Sequence, residues 1–578
     1  MSTGATLTRR NAAAAVALVA VLSAGAGCSG RTEAPSKASA NAAAGAAAPS
    51  SGPRFEDVAA KAGIGFRYTF GDLTYDNILE SSGSGVAVFD YDGDGKMDIL
   101  FLNGRYLEGV SDPSGRPFAN ARNALYRNNG DGTFTDVTEK AGVGGSHWAM
   151  AATIADLDGD GLEDIFLSNY GPNTFLHNNG DGTYSDFTEK VGLAGPATLN
   201  GFVKWSVGAA AFDADGDGTL ALLVANFLAF DPAYRSPGSP DRMPAPAEYR
   251  GQASILYKRG PDGRWADVTR EAGLHFPESK AMGLTVWDCD GDGRLDVFQA
   301  NDHQPNFLFR NLGRGVFEDI AAAAGVAVNL DGVGTGHMHA ALGDVDGDGL
   351  LDVFVTDLSY QSLYRAIGPG RFEDVTEKSG VRRLMDGAES WGGGLYDLDN
   401  DGAVDIFAAN GGADTLVLKK PTLLVNDGAG HFRDASAGAG DYFQGKRSGR
   451  GVAFGDFDDD GRIDIVVSHV DLKGTPALLK NVTVNGNHWL GVALKPTRRP
   501  SEPVGALVRA TARGKTQVRV YQRAQSYLSQ NDPRLHFGLG KSATVETLEI
   551  RWPGGAVQTL RDVPADRYVT VTEPRRPD

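Results

Sequence analysis

Seven acidic loops with a fixed spacing of aspartates are the part of this chain best suited to chemistry. The first loop runs Asp90-Tyr-Asp92-Gly-Asp94-Gly95-Lys96-Met-Asp98, and the pattern begins again at Asp156, Asp213, Asp288, Asp344, Asp397 and Asp456. Carboxylates stand at positions 1, 3, 5 and 9, a glycine at position 6 permits a tight turn, and position 7 offers a main-chain carbonyl. This set of oxygen donors suits a hard cation, and calcium fits it best.

Each loop is predicted to supply four carboxylates and one main-chain carbonyl to its ion. The predicted ligands are Asp90, Asp92, Asp94, Lys96, Asp98, Asp156, Asp158, Asp160, Leu162, Asp164, Asp213, Asp215, Asp217, Thr219, Asp288, Asp290, Asp292, Arg294, Asp296, Asp344, Asp346, Asp348, Leu350, Asp352, Asp397, Asp399, Asp401, Ala403, Asp405, Asp456, Asp458, Asp460, Arg462 and Asp464. The third loop has Ala221 at position 9, so it is expected to bind weakly or through water. We expect about six or seven structural Ca²⁺ ions.

Two other interpretations fit the loops less well. An EF-hand needs a glutamate at position 12, but that position holds Phe101, Leu167, Val224, Gln299, Val355, Ala408 and Val467. A single Asp-Gly cluster usually marks only a hairpin turn. Seven clusters in one frame exceed what turn chemistry alone explains, so the calcium interpretation is favoured.

The loops lie in a repeated four-strand unit, which predicts an all-β fold. An apolar strand enters each loop, a second leaves it, a third resembles Leu125-Tyr-Arg-Asn128, and a fourth resembles Phe134-Thr-Asp-Val137. The seventh unit lacks its fourth strand, whereas a spare copy, Phe55-Glu-Asp-Val58, precedes the first loop. Closing a ring would pair the two ends, so we predict a seven-bladed β-propeller over residues 55–485; a solenoid is the alternative.

The remaining chain divides into segments of different character. Residues 486–574 lack acidic loops and alternate apolar and polar residues, which predicts a small, separate β-sandwich domain, and 575–578 form a tail. A Pro-rich insertion from Asp231 to Ser254 lengthens the third blade and is interpreted as a solvated loop rather than a binding surface.

The N-terminus has the features of an export signal. Arg9-Arg10 precede an apolar run from Ala12 to Ala24, too short to span a bilayer, and Cys28 follows. This resembles a lipoprotein signal, so residues 1–27 are predicted as a signal peptide and Cys28 as the lipidated residue that anchors the chain to a membrane. Residues 28–54 are then a flexible tether. A periplasmic or secreted location without the anchor is the alternative.

Charge and cysteine content exclude several classes of protein. The formal net charge of −18 argues against nucleic-acid partners, although bound divalent ions would offset most of it. Two cysteines cannot form a disulfide framework, and Cys289, at position 2 of a loop, is interpreted as a small space-filling residue.

Motifs in both parts of the chain resemble a known family. The loop-and-strand unit resembles the FG-GAP/VCBS repeats of integrin-like propellers, and the combination with the C-terminal part resembles CRTAC1-like proteins that end in an ASPIC/UnbV domain. The matching C-terminal motifs are Asn487-His-Trp489-Leu490, Gly505-Ala506, Ser529-Gln530, Leu535-His-Phe-Gly-Leu-Gly540 and Trp552-Pro-Gly-Gly555. The resemblance implies an extracytoplasmic location, calcium in the blades, and interaction rather than a defined chemistry. One departure is Arg498-Arg499-Pro500, where the family tends to carry an Asn-Arg pair.

No motif for a specific catalytic mechanism is present, so candidate ligand residues were sought at the channel rim opposite the acidic loops. They are Trp148, Trp205, Lys280, His337, His339, Glu389 and Trp391. Packing between blades is the favoured role for the tryptophans. The two histidines are two residues apart on one strand, so both are expected to point to one face, and they would hold zinc or iron if a third ligand joined them. Polar lining of the channel is the simpler role.

These observations favour a calcium-stabilised, non-enzymatic protein of the cell envelope that binds an unidentified protein or glycan. The alternative is an enzyme that acts on a polysaccharide or secondary metabolite at the channel mouth, which would need acidic or histidine groups converging in a pocket. A purely structural envelope component is a third interpretation.

Overall fold

The computed structural model of the protein describes residues 52–575 except 240–241, 414–415, 472–473 and 498–501. The predicted signal peptide, Cys28, most of the tether and residues 576–578 lie outside the described residues. In the described chain, no helix is both long and apolar enough to cross a membrane.

Seven four-stranded antiparallel sheets form the blades, numbered here in chain order and each given from the innermost strand outward. Blades 1 to 4 consist of Val86–Phe89, Asp98–Phe101, Ala124–Asn128 and Phe134–Asp136; Trp148–Ala155, Asp164–Tyr170, Thr174–Asn178 and Tyr184–Asp186; Ser206–Phe212, Ala221–Asn226, Ile255–Arg259 and Trp265–Asp267; and Ala281–Trp287, Asp296–Asn301, Phe307–Gly313 and Val316–Asp319. Blades 5 to 7 consist of His337–Gly343, Asp352–Asp357, Ser362–Gly368 and Arg371–Asp374; Ser390–Tyr396, Asp405–Asn410, Thr422–Asn426 and Phe432–Asp434; and Gly449–Gly455, Asp464–His469, Ala477–Asn481 and Phe55–Asp57.

The predicted ring closure is present in blade 7. Phe55 pairs with Asn481 and Asp57 with Leu479, so the first strand of the described chain is the outermost strand of the last blade. The innermost strand of blade 7 also contacts that of blade 1. The ring is therefore closed, and the solenoid alternative was wrong.

The innermost strands are buried on both faces because neighbouring blades converge at the channel. Every residue of Trp148–Ala155 is buried, and small residues recur where the strands approach most closely. In Ser390–Tyr396, a Cβ added to Gly392 would lie 2.4 Å from the carbonyl oxygen of Arg450 in blade 7. Steric crowding near the axis explains why these strands contain alanine and glycine instead of larger β-forming residues.

Short helices lie in the connections between blades and in the loops within blades 1 and 3. The α-helical turns are Ile78–Ser81, Thr138–Ala141, Thr188–Val191, Ala321–Ala324 and Val381–Leu384, and the 3-10 helices are Pro113–Asn120, Pro246–Glu248, Ser436–Gly438 and Asp441–Gln444. A two-stranded hairpin, Thr198–Leu199 with Phe202–Val203, precedes blade 3.

The C-terminal domain contains two sheets that share one apolar core, as predicted for a sandwich. One sheet has the order Leu535–Gly540, His488–Lys495, Arg567–Thr572, and the other Lys515–Val520, Leu507–Ala512, Thr544–Arg551, Val557–Pro564. Buried Val492, Val508 and Leu548 belong to a cluster that continues into the propeller through Val86 and Leu284.

The C-terminal domain is not separate from the propeller, which corrects the prediction. Its strands Ala524–Ser526 and Ser529–Gln530 form a small hairpin that joins the sheet of blade 1, where Gln530 pairs in parallel with Ala87. We call residues 521–532, which contain this hairpin, the channel hairpin. An independent sandwich would not give two strands to another sheet, so the two folded parts form one contiguous structure.

Candidate metal centres

The acidic loops adopt one backbone conformation that gathers their carboxylates. In blade 4, Gly291 N–H donates to Asp288 Oδ1 at 2.8 Å and Gly293 N–H donates to Asp288 Oδ2 at 2.9 Å. The glycine at position 6 has a positive φ in each loop, for example +88° at Gly95. The structure therefore confirms the tight turn predicted at this glycine, in a backbone conformation that residues with side chains disfavour.

Ligand-type oxygens converge in several loops. One oxygen from each of Asp90, Asp92 and Asp94 lies within 4.8 Å of the others, and the equivalent aspartates of blades 2 and 5 do the same. In blade 4 the converging set is Asp288, Asp290 and Asp296. The residues present therefore fit a hard divalent cation, which would use the carboxylates and the position-7 carbonyl.

The position-9 carboxylate connects the loop to the third strand of its blade. Asp98 is completely buried, and its Oδ2 accepts from Tyr91 N–H at 2.9 Å while its Oδ1 accepts from Asn128 N–H at 2.7 Å. Burial, with repulsion from Asp92 and Asp90, raises the pKa of Asp98 to about 8. A bound cation would offset that repulsion. Blade 3 lacks this carboxylate because its strand begins at Ala221.

A basic residue on the third strand pairs with the position-3 aspartate in five blades. The pairs are Arg127 with Asp92, His177 with Asp158, Lys258 with Asp215, Arg365 with Asp346 and Lys480 with Asp458. Sequence reasoning missed this partner. The sequence does contain a signal for this basic partner, namely the basic third residue in motifs such as Leu125-Tyr-Arg-Asn128. The pattern alone indicates only a strand there.

The asparagine that ends the third strand joins adjacent blades. Asn128 Nδ2 donates to Phe457 O of blade 7 at 2.8 Å, and Asn426 Nδ2 donates to Val345 O of blade 5 at 2.8 Å. Asn311 and Asn481 make the equivalent bonds to Ala214 O and Leu398 O. Four junctions between adjacent blades therefore carry this link, a role that the recurring asparagine alone did not reveal.

The channel hairpin fills the propeller axis and hydrogen-bonds the innermost strands. It accepts backbone N–H bonds from five blades, with the pairs Val86 to Ser529 Oγ at 3.2 Å, Ile154 to Gln530 Oε1 at 2.9 Å, Val286 to Gln522 Oε1 at 3.4 Å, Gly393 to Ser526 Oγ at 3.1 Å and Phe454 to Asn531 Oδ1 at 3.1 Å. Two small cavities of about 30 and 20 Å³ flank it. Each has room for about one or two waters, and neither has room for a sugar.

The C-terminal domain also covers acidic loops. Tyr568 OH donates to Asp456 Oδ2 at 2.7 Å, and Arg534 Nη2 donates to Asp456 O at 2.8 Å. In blade 6, His536 Nε2 lies 2.6 Å from Asn400 Oδ1. The domain therefore sits on the loop face of the ring, where Asp397 of blade 6 and Asp456 of blade 7 are buried.

Blade 2 meets the C-terminal domain through a buried charge network. Arg523 pairs with Glu163 of the acidic loop and lies 3.5 Å from Glu502 Oε2, which also accepts from Tyr521 OH at 3.1 Å. Asp156 N–H contacts Glu502 Oε1 at 3.4 Å. Burial, despite the nearby arginine, raises the pKa of the Glu163 carboxyl.

The tryptophans predicted at the channel rim are in the interior. Trp148 and Trp205 are fully buried, and Trp391 packs its ring against Tyr527 of the channel hairpin with centroids 5.1 Å apart. Arg450 Cζ lies 3.9 Å from the centroid of a Trp391 ring, so that end of the channel is closed by side chains.

The remaining rim residues do not converge on one pocket. Lys280 Nζ donates to Pro246 O at 2.7 Å, and Glu389 pairs with Lys419. A β-bulge separates His337 from His339, which corrects the expectation that both face one way. His337 Nδ1 lies 2.9 Å from Asn306 Oδ1.

His339 belongs to a different environment from His337. Its Nε2 lies 3.4 Å from Thr285 Oγ1, whereas His337 Nε2 lies 3.2 Å from Ser362 Oγ. Burial lowers the pKa of His339 to about 4. The two rings therefore do not share the third ligand that a zinc or iron centre would need.

A larger cleft of about 390 Å³ lies between the C-terminal domain and the loops of blades 4 and 5. Its lining includes Arg294 and Cys289 from blade 4, and Arg509, Arg551 and Trp552 from the C-terminal domain. Burial and neighbouring carboxylates raise the pKa of the Cys289 thiol, which keeps it in the unreactive neutral form. The three arginines are partly exposed, and five acidic residues line the same cleft: Asp213, Asp288, Asp290, Glu502 and Glu573.

Comparisons with known proteins agree with the two-part architecture. The FG-GAP-like repeat family matches residues 114–167, 156–224, 288–355, 344–408 and 397–467, and the ASPIC and UnbV family matches 496–578. Cartilage acidic protein 1 of Mus musculus is 28% identical over 529 residues, covering 86% of this chain and 74% of the relative. The protein of the same name from Homo sapiens is 28% identical over 527 residues, covering 86% and 73%.

Solved structures were also compared. The crystal structure of BBS1N in complex with ARL6DN is 8% identical with a TM-score of 0.39, covering 73% of this chain and 99% of that chain.

Proposed function

We propose a function for a chain that belongs to the FG-GAP-like repeat proteins and ends in an ASPIC and UnbV domain: an exported, calcium-binding interaction protein of the cell envelope. Calcium is structural in this proposal. One support is the set of converging carboxylates at equivalent places in the blades. The other is the raised pKa of position-9 groups such as Asp98, since a bound divalent cation would favour the charged form of these carboxylates.

The partner is proposed to bind the cleft beside blade 4. The channel is filled by the chain itself, whereas the cleft of about 390 Å³ is large enough for a sugar or a peptide side chain. Arg509 and Arg551 are 38% and 40% exposed there, and Arg551 Nη2 lies 3.9 Å from Asp288 Oδ2 of the acidic loop. Arg509 and Arg551 would bind a negatively charged group of a protein or glycan once calcium offsets the charge of the lining carboxylates Asp213, Asp288 and Asp290.

Binding to panels of acidic and neutral oligosaccharides and peptides tests the partner. We expect the wild-type chain to bind the acidic oligosaccharides or peptides. The double variant Arg509→Ala, Arg551→Ala should lose this binding while its melting temperature stays unchanged. The matched control is Arg561→Ala, which removes an exposed arginine from the outer strand Val557–Pro564. Retention that is equal in the double variant and the wild type would show that the cleft is not the binding site.

The membrane connection is proposed through Cys28. Its support is the sequence alone, with Arg9-Arg10 and an apolar run ahead of the cysteine. A Cys28→Ser variant of the full chain should move from the membrane pellet to the soluble fraction and lose labelling by an alkyne fatty acid. If the variant stays in the pellet, the anchor is elsewhere.

A further inference from the structure

Blade 2 differs from the other blades in the chemistry beside its acidic loop. Where blades 1, 3, 5 and 7 place Arg127, Lys258, Arg365 and Lys480 against the position-3 aspartate, blade 2 places His177. An ammonium or guanidinium cannot coordinate a metal, whereas a neutral imidazole can. Blade 2 therefore adds a nitrogen donor to its carboxylates.

The three donors already lie at coordination spacing. His177 Nδ1 is 2.8 Å from Asp158 Oδ2 and 3.3 Å from Asp164 Oδ1, and all three atoms lie within 4.8 Å of one another. Donors bound to one ion at zinc-type distances of about 2.0 to 2.2 Å stand about 3 to 3.5 Å apart. Small side-chain movements would bring this set onto an ion.

The imidazole nitrogen of His177 has an ion-pair contact with Asp158 Oδ2 at 2.8 Å but no well-aligned hydrogen bond with the described residues, and the side chain is 17% exposed. His177 Nδ1 points among carboxylates. A buried polar atom normally makes a well-aligned hydrogen bond. A bound ion would replace this poorly aligned contact with coordination by the nitrogen.

The ring is held in place from outside the cluster. His177 stacks on Phe187 with ring centroids 4.7 Å apart and planes 13° apart, and Lys190 Nζ lies 3.6 Å from the centroid of the Phe187 ring. Stacking fixes the plane of the imidazole and keeps Nδ1 directed at Asp158 and Asp164. Preorganised donors lower the cost of binding an ion.

We propose that blade 2 binds a first-row transition ion such as Zn²⁺ or Mn²⁺ through Asp158, Asp164 and His177, in place of calcium. Imidazole is a good ligand for such ions and a poor one for calcium. The ion would share Asp158 with the oxygen cluster of Asp156 and Asp160, so the blade holds one ion or the other. Blade 6 has Val425 at the place of His177, and Arg310 of blade 4 pairs with Glu318, so neither offers this donor.

The test is metal loading of the full chain at millimolar Ca²⁺, with Zn²⁺ for stoichiometry and Mn²⁺ for spectroscopy. After gel filtration, we expect one equivalent of zinc, and electron spin-echo modulation from one imidazole ¹⁴N on bound manganese. His177→Arg, which installs the residue of blades 1 and 5, and His177→Gln should both lose the zinc equivalent and the ¹⁴N signal. His431→Gln, which removes an exposed histidine near Asp427, should keep both.

Two results would overturn the proposal: no stoichiometric zinc in the wild type, or zinc and ¹⁴N coupling that persist in both His177 variants. Melting curves of the variants in calcium show whether they are folded, and the Gln variant keeps a neutral side chain if the Arg variant unfolds. Calcium content is measured in the same samples. If the structural-calcium proposal is wrong, these samples will contain no bound calcium. That result is independent of the zinc measurement.

Discussion

The side-chain oxygen of Gln530 accepts a hydrogen bond from the backbone N–H of Ile154 at 2.9 Å, across 376 positions of sequence. Ile154 belongs to the innermost strand of blade 2, whose inner edge has no neighbouring strand of its own blade. The channel hairpin thus supplies acceptors that an open propeller would take from water. The C-terminal domain acts as an internal plug as well as a cover for the acidic loops.

The first prediction concerns this bond. Gln530→Ala removes the acceptor and leaves a buried N–H unpaired, which should lower the free energy of unfolding by about 1 to 3 kcal/mol. Denaturant unfolding measures the change. Gln444→Ala is the control, because the Gln444 side chain also makes one hydrogen bond to the backbone, from Nε2 to Ala437 O, but does so in an exposed position. Equal effects of the two substitutions would mean that the hairpin adds no stability at this point.

Arg450 carries the second prediction. Its guanidinium is fully buried over Trp391 and donates to Ser81 O at 2.8 Å and Gly412 O at 2.9 Å. Arg450→Met keeps bulk but leaves these carbonyls unpaired, so we expect a loss of about 2 to 4 kcal/mol in thermal or chemical unfolding. Arg371→Met, at an exposed strand start, should change stability little. A stable Arg450→Met protein would contradict the assigned role.

Removing calcium should destabilise the propeller. At dissociation constants of about 0.1 to 1 mM, each site adds about 0.4 to 1.4 kcal/mol at millimolar calcium. Several sites together approach the ~5 to 15 kcal/mol net stability of a domain. EDTA should therefore lower the melting temperature substantially, and restored Ca²⁺ should recover it where Mg²⁺ does not. An identical melting curve in EDTA and calcium would refute structural calcium.

Blade 3 allows a gain-of-function test. Ala221→Asp restores the position-9 carboxylate at the place where Asp98 and its equivalents accept two backbone N–H groups. We expect the variant to bind calcium more tightly in this loop, seen as one more bound ion by mass spectrometry at limiting calcium. Ala221→Asn, which lacks the charge, should not gain the ion. No difference between the two variants would show that position 9 is not a ligand.

Much of the fold could be predicted from the sequence because turns and strands depend on residues that are close together in the chain. The turn at Gly95 needs a positive φ, strands alternate in a short repeat, and Phe55-Glu-Asp-Val58 matches the strand that the last blade lacks. The same repeat indicated which aspartates form each loop. It did not indicate the third-strand partners such as Arg127, since that contact depends on how the strand lies beside the loop.

The placement of the channel hairpin was not predictable from local pattern. Residues Ala524 to Gln530 are mostly polar, yet Ser526, Tyr527 and Gln530 are buried. Their acceptors are matched to N–H groups on strands hundreds of residues earlier. Periodicity does not identify such partners, so the sequence did not indicate that residues 486–574 dock into the propeller.

The sequence by itself determined the closed seven-bladed ring and the identity of the acidic loops, because repeat spacing and turn chemistry act within a few residues. Only the tertiary structure decided which residues from other parts of the chain contact the loops. The turn at Gly461 requires a positive φ, which favours glycine. The fold also places Trp489 against this residue, so a Cβ added to Gly461 would lie 1.8 Å from Trp489 Cε2. His177, unremarkable in its strand, becomes a candidate metal ligand because packing directs one ring nitrogen at two carboxylates.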